Sequence, residues 1–261
     1  MYTPSLRVKR NGVPILKKTE IDVIGERFVK DFQPDVLTNP SPVDIEGFIE
    51  FYLGMTPDFQ YLSHNGVYLG MTVFNDTNKV PVYDPATNRA EYISAKARTV
   101  IIDNRLLDEN QRHRFRFTLG HEGGHDIFHS GYFSYNPDQT SLFDEDFVAP
   151  MIQCRVDSGM TDRADTRKWD DHDWMEWQAN HLSAAVLMPK SAVDLVVRPF
   201  RDKLKNPVSR ALLVANLSNC FDVSIQAATN RLKDLGYIKT NDTTDYSYAS
   251  AIMDFAGVVG S

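Results

Sequence analysis

Apolar residues recur at helical spacing near the start of the chain. They fall at positions 21, 24, 28 and 32, which predicts a helix over residues 21–32 with one buried face. A second short helix is predicted over residues 44–53. Alternation over residues 67–74 predicts a strand, residues 80–83 resemble a short edge strand, and the apolar run Thr99–Asp103 predicts a buried strand. The first part of the chain is therefore predicted to form helices followed by a small sheet.

Helical patterns dominate the rest of the chain. In order, the sequence predicts a helix over 109–129, a turn-rich loop over 132–171, an apolar helix from 170 or 171 to just before Pro189, and two helices after Pro207 separated by residues 222–224. Asp108 and Gln111 resemble a capping box at the start of the first of these helices, and Ser130-Gly131 resembles a stop at its end. Residues 241–261 are predicted to be a loose tail.

Composition restricts the class of protein. The chain has 261 residues, of which 42% are hydrophobic and 24% are charged, so it can bury a core and does not resemble a disordered protein. It has no apolar stretch of about 18 residues, and its start lacks the apolar core of a secretory signal. Two cysteines are too few for a disulfide framework. We therefore expect a cytoplasmic protein that makes no membrane contact.

Charge is distributed unevenly along the chain. Residues 190–240 hold nine basic and four acidic side chains, a net charge of +5, while the whole chain carries −7 and the remainder therefore −12. This contrast predicts a main domain over 1–190, a basic helical module over 191–240 and a flexible tail over 241–261. The module can be a helix-turn-helix that contacts DNA phosphates, or a helical hairpin packed on the main domain.

The strongest chemical signal is His121-Glu122-Gly123-Gly124-His125, within the first long helix. Residues four apart lie on one helix face, so both imidazoles can bind one zinc ion at about 2.0–2.1 Å. Glu122 is offset around the helix and can take a proton from a water that the metal activates. The two glycines cost a helix about 2 kcal/mol relative to alanines. We therefore expect a neighbouring group, Trp174 or Trp177, to approach the backbone closely there.

A catalytic zinc needs a third protein ligand, and Glu176 is the strongest candidate. It stands on the apolar helix, where an unpaired carboxylate would be costly. Asn180, one turn later, can hydrogen-bond to a ligand histidine and orient it. His129 lies too far along its helix to join the first histidine on one ion, so it is predicted to be a cap or a supporting group. His172 and Asp173 are the alternative ligands.

Several motifs together resemble the ImmA/IrrE family of zinc metallopeptidases. Arg116-Phe117-Thr118 precedes the histidine motif, and Glu176-x-x-Ala179-Asn180 and Leu187-Met188-Pro189 follow in order. The resemblance runs from Ile21 to Pro189 and continues more weakly to Ile238. It implies an α+β, zincin-like fold in which His121, His125 and Glu176 bind zinc and Glu122 is the general base. It also implies that the substrates are DNA-binding repressors of the helix-turn-helix class.

The sequence therefore predicts a zinc-dependent endopeptidase that cleaves a regulatory protein. The alternatives are a DNA- or partner-binding transcriptional regulator with a structural or vestigial metal site, and a metal-dependent hydrolase of small molecules. His172, Tyr132 and Tyr135 are candidates for stabilising the oxyanion. Thr99–Asp103 is predicted to border the cleft and to pair with extended substrate. Cys154 is either a structural thiol or a thiolate that reaches the open metal position.

Overall fold

The computed structural model describes residues 1–133, 151–155 and 166–239. The helices are α1 (Lys18–Phe32), α2 (Ile45–Gly47, continued by a π-helical turn over Phe48–Tyr52), α3 (Arg112–Phe133), α4 (Asp171–Leu187), α5 (Lys190–Val197), α6 (Pro207–Phe221) and α7 (Ile225–Asp234). The strands are β1 (Thr56–Gln60), β2 (Tyr68–Val73), β3 (Thr77–Asp84), β4 (Arg89–Ala95), β5 (Thr99–Asp103) and β6 (Met151–Arg155). Short 3-10 turns occupy Pro34–Leu37, Asn104–Leu107, Glu109–Gln111, Thr166–Lys168 and Arg198–Lys203. The fold is mixed α+β with a small sheet and several helices, as predicted.

Four strands form one sheet in the order β1-β5-β2-β6, and β3 and β4 form a separate antiparallel hairpin. Strand β1 is parallel to β5, whereas β2 is antiparallel to both β5 and β6. Strand β5 therefore has a neighbour on each side. The prediction that Thr99–Asp103 pairs with substrate is wrong, because its backbone hydrogen bonds are already used within the sheet.

The motif-bearing helix α3 is placed by the sheet, since it lies against β2 and β5. It begins at Arg112, after a 3-10 turn, and continues through the predicted stop to Phe133. The predicted capping box is wrong. The Asp108 side chain makes no capping hydrogen bond, and the Gln111 N–H donates to the Asp108 backbone carbonyl at 2.8 Å instead.

The loop predicted over residues 132–171 contains a strand, so that prediction is wrong in part. Residues Met151–Arg155 form β6, which pairs with β2. Ile152 is buried in a cluster with Val13, Phe133 and Met175. The strand is only five residues long and lies among prolines and aspartates, which hid its alternation. Residues 134–150 and 156–165, Tyr135 and the predicted tail lie outside the described residues.

Contacts divide the chain into two compact units. One comprises Thr3–Ile21 and Ile45–Ser183 and holds the whole sheet and α3. The other comprises Asp22–Asp44 and the chain from Ala184 onward, and holds α5, α6 and α7. The domain boundary predicted at residue 190 stays a prediction, as this division follows contacts rather than chain order.

The helical pair α6–α7 of the second unit occurs where the sequence predicts it. Asp222 ends α6 with a left-handed backbone (φ +52°), and the Ser224 side chain accepts a hydrogen bond from the Ala227 N–H at the start of α7. Arg231 of α7 is buried and pairs with Asp22 at 2.5 Å. DNA binding by this module remains a prediction.

Within the described residues, no helix combines the length and the hydropathy that a membrane span requires.

Candidate metal centre

Helices α3 and α4 approach closely through small residues. A Cβ added to Gly124 would lie 3.0 Å from the Ala179 Cα, and one added to Gly120 would lie 2.7 Å from the Ser183 Oγ. The two pairs stand four residues apart on each helix, so they face each other over one turn. This close approach lets a side chain of α4 reach the histidines of α3.

The two glycines of the motif have different neighbours from those expected. A Cβ on Gly123 would clash with the Ile49 side chain, which follows α2, whereas Gly124 faces α4. Trp174 and Trp177 are only half-buried and contact each other, with ring centroids 5.7 Å apart. The prediction that a tryptophan approaches these glycines is wrong. The close contact between α3 and α4 is made instead by two small residues, Gly124 and Ala179.

His121, His125 and Glu176 converge in the protein interior. The Nε2 atoms of the two imidazoles are 2.9 Å apart, and the Glu176 carboxylate oxygens lie 3.4 Å from His121 Nε2 and 3.3 Å from His125 Nε2. Three donors around a tetrahedral zinc at about 2.0–2.2 Å would be roughly 3.3–3.5 Å apart. The observed triangle is close to that size.

The Glu176 carboxylate makes no hydrogen bond within the described part of the chain. Both oxygens are buried and neither has a hydrogen-bond partner of acceptable geometry, although the two imidazoles lie nearby. A buried carboxylate in this condition is costly unless a cation neutralises it. The orphaned oxygens and the two imidazoles therefore fit a metal ion.

Electrostatics within the cluster also favour a positive charge there. Burial alone would lower the pKa of His121, but Cys154 and Glu176 outweigh it and hold this pKa well above its ordinary range. Burial and the His121 charge lower the pKa of His125 to about 4. Burial would raise the pKa of Glu176, yet the two imidazoles hold it well below its ordinary value. A proton on His121 thus supplies the charge that a metal ion would otherwise bring.

A hydrogen bond from α4 orients the first imidazole. His121 Nδ1 lies 3.0 Å from Asn180 Oδ1. Because an amide oxygen only accepts, Nδ1 carries a proton, and Nε2 is left with the lone pair that could bind a metal once the imidazole is neutral. Asn180 lies where the sequence predicted it.

A chain of hydrogen bonds orients the second imidazole. His125 Nδ1 is 2.8 Å from His129 Nδ1, and His129 Nε2 is 3.0 Å from Gln178 Oε1. The Gln178 Nε2 group in turn donates to the Pro14 carbonyl at 2.8 Å. Because Gln178 Oε1 only accepts, His129 donates to it from Nε2, and His129 Nδ1 then accepts from the Nδ1–H group of His125. The Nε2 atom of His125 is therefore the nitrogen with a lone pair, which can bind a metal. Sequence reasoning anticipated His129 as a support but missed Gln178, which stands three residues before His181 on α4.

Glu122 lies beside the ligand cluster in a pocket formed by β2. The Thr72 hydroxyl donates to Glu122 Oε2 at 2.6 Å, while Oε1 is buried without a partner. A Cβ on Gly70 would lie 2.5 Å from that Oε1, so only glycine leaves room for the carboxylate. Burial, opposed by His121 and Thr72, raises the pKa of Glu122 to about 7. Sequence reasoning missed Thr72 and Gly70, since nothing in a strand pattern marks residues that face a helix.

Cys154 also belongs to this cluster. The ligand atoms of His121, Cys154 and Glu176 all lie within 4.8 Å of one another, and all three residues are buried. The thiol comes from β6, the strand that was predicted to be a loop. The structure therefore brings together two imidazoles, a carboxylate and a thiol.

The alternative residues are placed elsewhere or serve other contacts. His172 is exposed in the first turn of α4. The N–H groups of Asp170 and Asp173 each donate to the other's carboxylate, at 3.3 and 2.8 Å, which caps α4. The Tyr132 ring packs against Phe133, with centroids 5.0 Å apart. No contact among the described residues assigns any of them to the metal or to an oxyanion.

Comparison with known families supports this picture. The model of the IrrE N-terminal-like domain (Peptidase_M78) matches residues 154–233. The match supports membership of the ImmA/IrrE family. The matched segment includes Cys154, Glu176 and Asn180 and begins after His125, so the histidine half of the site rests on its own geometry. No curated protein matches the chain. A metallopeptidase of the ImmA/IrrE type is thus the class that these findings support.

Proposed function

We propose that this protein is a zinc-dependent endopeptidase that cleaves a regulatory protein, a DNA-binding repressor of the helix-turn-helix class. The observation that carries the proposal is the buried triangle of His121, His125 and Glu176, whose carboxylate has no partner, beside the carboxylate of Glu122. A structural metal site has no need of a second buried carboxylate. A zincin-like fold, with the motif helix against a small sheet, is part of the proposal.

The protein's own groups divide the chemical work. Zinc, when bound, would supply Lewis acidity, which polarises a peptide carbonyl and makes water a nucleophile near neutral pH. Glu122 takes the proton of the attacking water and later delivers it to the leaving amine. Burial raises the pKa of Glu122 to about 7 in the metal-free protein, and a bound dication would lower it, so that the carboxylate is ionised and ready to accept the proton. Thr72 holds one carboxylate oxygen and leaves the other to act.

Strand β6 supports a peptide as the substrate. Within the described part of the chain it has a hydrogen-bonded neighbour on one side only, β2, and it carries Cys154 at the metal cluster. An extended peptide can add to such an edge through its backbone. The choice of a repressor as substrate rests on the resemblance to the ImmA/IrrE family.

The test combines metal analysis with a cleavage assay. The full chain is loaded with zinc and incubated with a purified helix-turn-helix repressor encoded by a neighbouring gene, and fragments are identified by mass spectrometry. Glu122→Gln should keep one zinc per chain and lose about 100-fold or more of the rate, since general-base catalysis contributes about 10²–10⁴. Glu91→Gln, an exposed carboxylate on the β3–β4 hairpin, is the matched control and should cleave normally. Equal cleavage by wild type and Glu122→Gln would exclude the proposed base.

A second candidate is a regulator whose metal site is structural, and the proximity of Cys154 favours it because a fourth protein ligand would close the site. DNA binding by such a regulator would need the basic module. Arg231 is paired inside the second unit, and Arg210 donates to the Leu204 and Lys205 carbonyls, so both are committed to structure. Lys203 is exposed and can contact phosphate. The test is binding of the full-length protein to duplex DNA at several salt concentrations. Salt-dependent binding that is lost in a double variant, Lys203→Ala with Lys205→Ala, would favour this candidate.

A further inference from the structure

We propose that Cys154 Sγ is the fourth ligand of the resting metal centre, so that the protein holds its metal in a closed site of two imidazoles, one carboxylate and one thiolate. The inference rests on the proposed function for the metal itself. It goes further in assigning a ligand that the resemblance does not supply and a resting state that is catalytically latent.

The sheet register places the thiol independently of the ligand distances. Cys154 pairs with Gly70 across the antiparallel β2–β6 ladder. Side chains of directly paired residues project from the same face of a sheet. A Cβ on Gly70 would point at Glu122 and at Thr118 on α3, at 2.5 and 2.8 Å. The Cys154 side chain therefore projects from β6 toward the same helix, and hence toward the histidines.

The orphaned carboxylate is the second observation. Both oxygens of Glu176 are buried without a hydrogen-bond partner, and the Cys154 Sγ lies within 4.8 Å of the nearest ligand atoms of Glu176 and His121. With bonds of about 2.3 Å to sulfur and 2.0–2.1 Å to nitrogen, neighbouring ligands of a tetrahedral zinc are roughly 3.6 Å apart. A small movement of these side chains would bring the Cys154 Sγ from within 4.8 Å of the other ligand atoms to that distance.

Charge balance favours the thiolate. A dication held by Glu176 and two neutral imidazoles keeps one positive charge within its ligand set; Glu122 can compensate this charge only from outside that set, whereas a thiolate ligand neutralises it directly. When the S–H bond of Cys154 breaks, its proton passes to solvent, the sulfur–metal bond forms, and the centre becomes neutral. The thiolate therefore competes with the water that Glu122 would deprotonate. Release of Cys154 from the metal becomes the step that opens the site.

Cobalt(II) substitution tests the ligand directly. A thiolate bound to cobalt(II) gives a near-ultraviolet charge-transfer band, while visible d–d bands report bound cobalt whatever the ligands. Full-length wild type, Cys154→Ala and Cys220→Ser are each titrated with cobalt(II) alone. Cys220 is the matched control, because its half-buried thiol donates to the Pro40 carbonyl in the other compact unit. Thermal melts of the three proteins confirm that each is folded.

The proposal expects one cobalt per chain in all three proteins, with the charge-transfer band lost in Cys154→Ala alone. Cleavage by zinc-loaded Cys154→Ala should then exceed that of wild type. One bound cobalt without the band in wild type, or a band that persists in Cys154→Ala, would overturn the thiolate ligand and leave the proposed peptidase intact. Failure of all three folded proteins to bind cobalt would overturn the metal site and the thiolate together.

Discussion

Two regions of this protein bury charged side chains, and they treat those charges in opposite ways. In the helical unit, Arg231 donates to Asp22 at 2.5 Å and to the Met188 carbonyl at 3.0 Å. In the candidate metal centre, Glu176 is equally buried, but its two oxygens have no hydrogen-bond partner among the described residues. The first charge is balanced by the chain itself. The second is arranged around a position that a cation would fill.

The contrast separates structural from functional burial. A buried ion pair fixes two segments of the fold, and removal of one partner leaves an uncompensated charge. A buried carboxylate that faces only two imidazoles is costly unless a cation neutralises it, whether that cation is a metal ion or a protonated His121. A buried charged side chain can therefore serve stability in one unit and ligand binding in the other. The atoms around the charge distinguish the two cases.

Replacement of the orphaned carboxylate should have the largest effect on metal binding. Glu176→Gln removes the anionic ligand, so we expect zinc affinity and peptidase activity to fall by at least about 100-fold, more than an outer hydrogen-bond partner is worth. Zinc titration and the cleavage assay measure the two quantities. Tight zinc binding by this variant would contradict the ligand set.

The matched change in the helical unit should produce the opposite result. Asp22→Asn leaves Arg231 without its counter-charge, and we expect a loss of about 3–5 kcal/mol in the free energy of unfolding. The metal centre is built from other residues, so zinc stoichiometry in the folded fraction should remain that of wild type. A stable Asp22→Asn protein would show that the ion pair is not the structural element inferred here.

Gly70→Ala should impair catalysis without removing the metal. The new Cβ would meet Glu122 Oε1 at 2.5 Å and Thr118 Cγ2 at 2.8 Å, so the carboxylate must move. We expect turnover to fall by about 10–100-fold, part of the full general-base contribution, with unchanged zinc content. Gly131→Ala is the control, since a Cβ there meets nothing within 4 Å. Normal turnover in Gly70→Ala would mean that Glu122 is not held by β2 as described.

Spacing along a single helix predicts which side chains of α3, and which of α4, share one face. His121, Glu122 and His125 are fixed by helical spacing alone, and Glu176 with Asn180 by a carboxylate on an apolar helix and its neighbour one turn away. The structure brings these side chains together, and their roles in metal binding and catalysis stay predictions. The strand Thr99–Asp103 was likewise recognised from its uninterrupted apolar run.

Sequence reasoning fails where the site depends on a register between strands. Thr72, Gly70 and Cys154 reach the site only because β2 pairs with β6 and lies beneath α3. A five-residue strand among prolines and aspartates gives almost no periodic signal. Strand β1 was missed for a similar reason, as Pro57 interrupts its pattern, and the parallel partner that stabilises it is distant in sequence.

Loss of the hydrogen bond behind His121 should weaken metal binding moderately. Asn180→Ala removes the group 3.0 Å from Nδ1, so the imidazole can rotate and its other tautomer becomes accessible. We expect zinc affinity to fall by about 10–100-fold, the usual worth of such a partner. Asn230→Ala, on α7 of the other unit, is the control and should bind zinc normally. Equal affinity in both variants would remove Asn180 from the site.

The last expected effect, which leaves metal binding and turnover aside, is on the stability of the metal-free protein as a function of pH. Burial raises the pKa of Glu122 from 4.5 to about 7, so the folded state binds a proton more tightly than the unfolded state does. This contribution to stability is complete below about pH 4.5 and is lost as the pH rises through about 7. Wild type should therefore lose on the order of 3 kcal/mol relative to Glu122→Gln across that window, at about 1.4 kcal/mol per pKa unit.

Paired denaturation curves of the two chelated proteins measure that difference, and Glu91→Gln, whose carboxylate is exposed, should follow wild type at every pH. A difference that stays constant from pH 4 to pH 8 would mean that Glu122 ionises as freely as a surface carboxylate. The close fit of β2 around Glu122 argues for the opposite outcome, because Oε1 has no partner among the described residues and only Thr72 hydrogen-bonds to Oε2. Bound zinc should reduce the pH-dependent difference in stability between wild type and Glu122→Gln. A nearby dication stabilises the charged form of Glu122, which burial penalises.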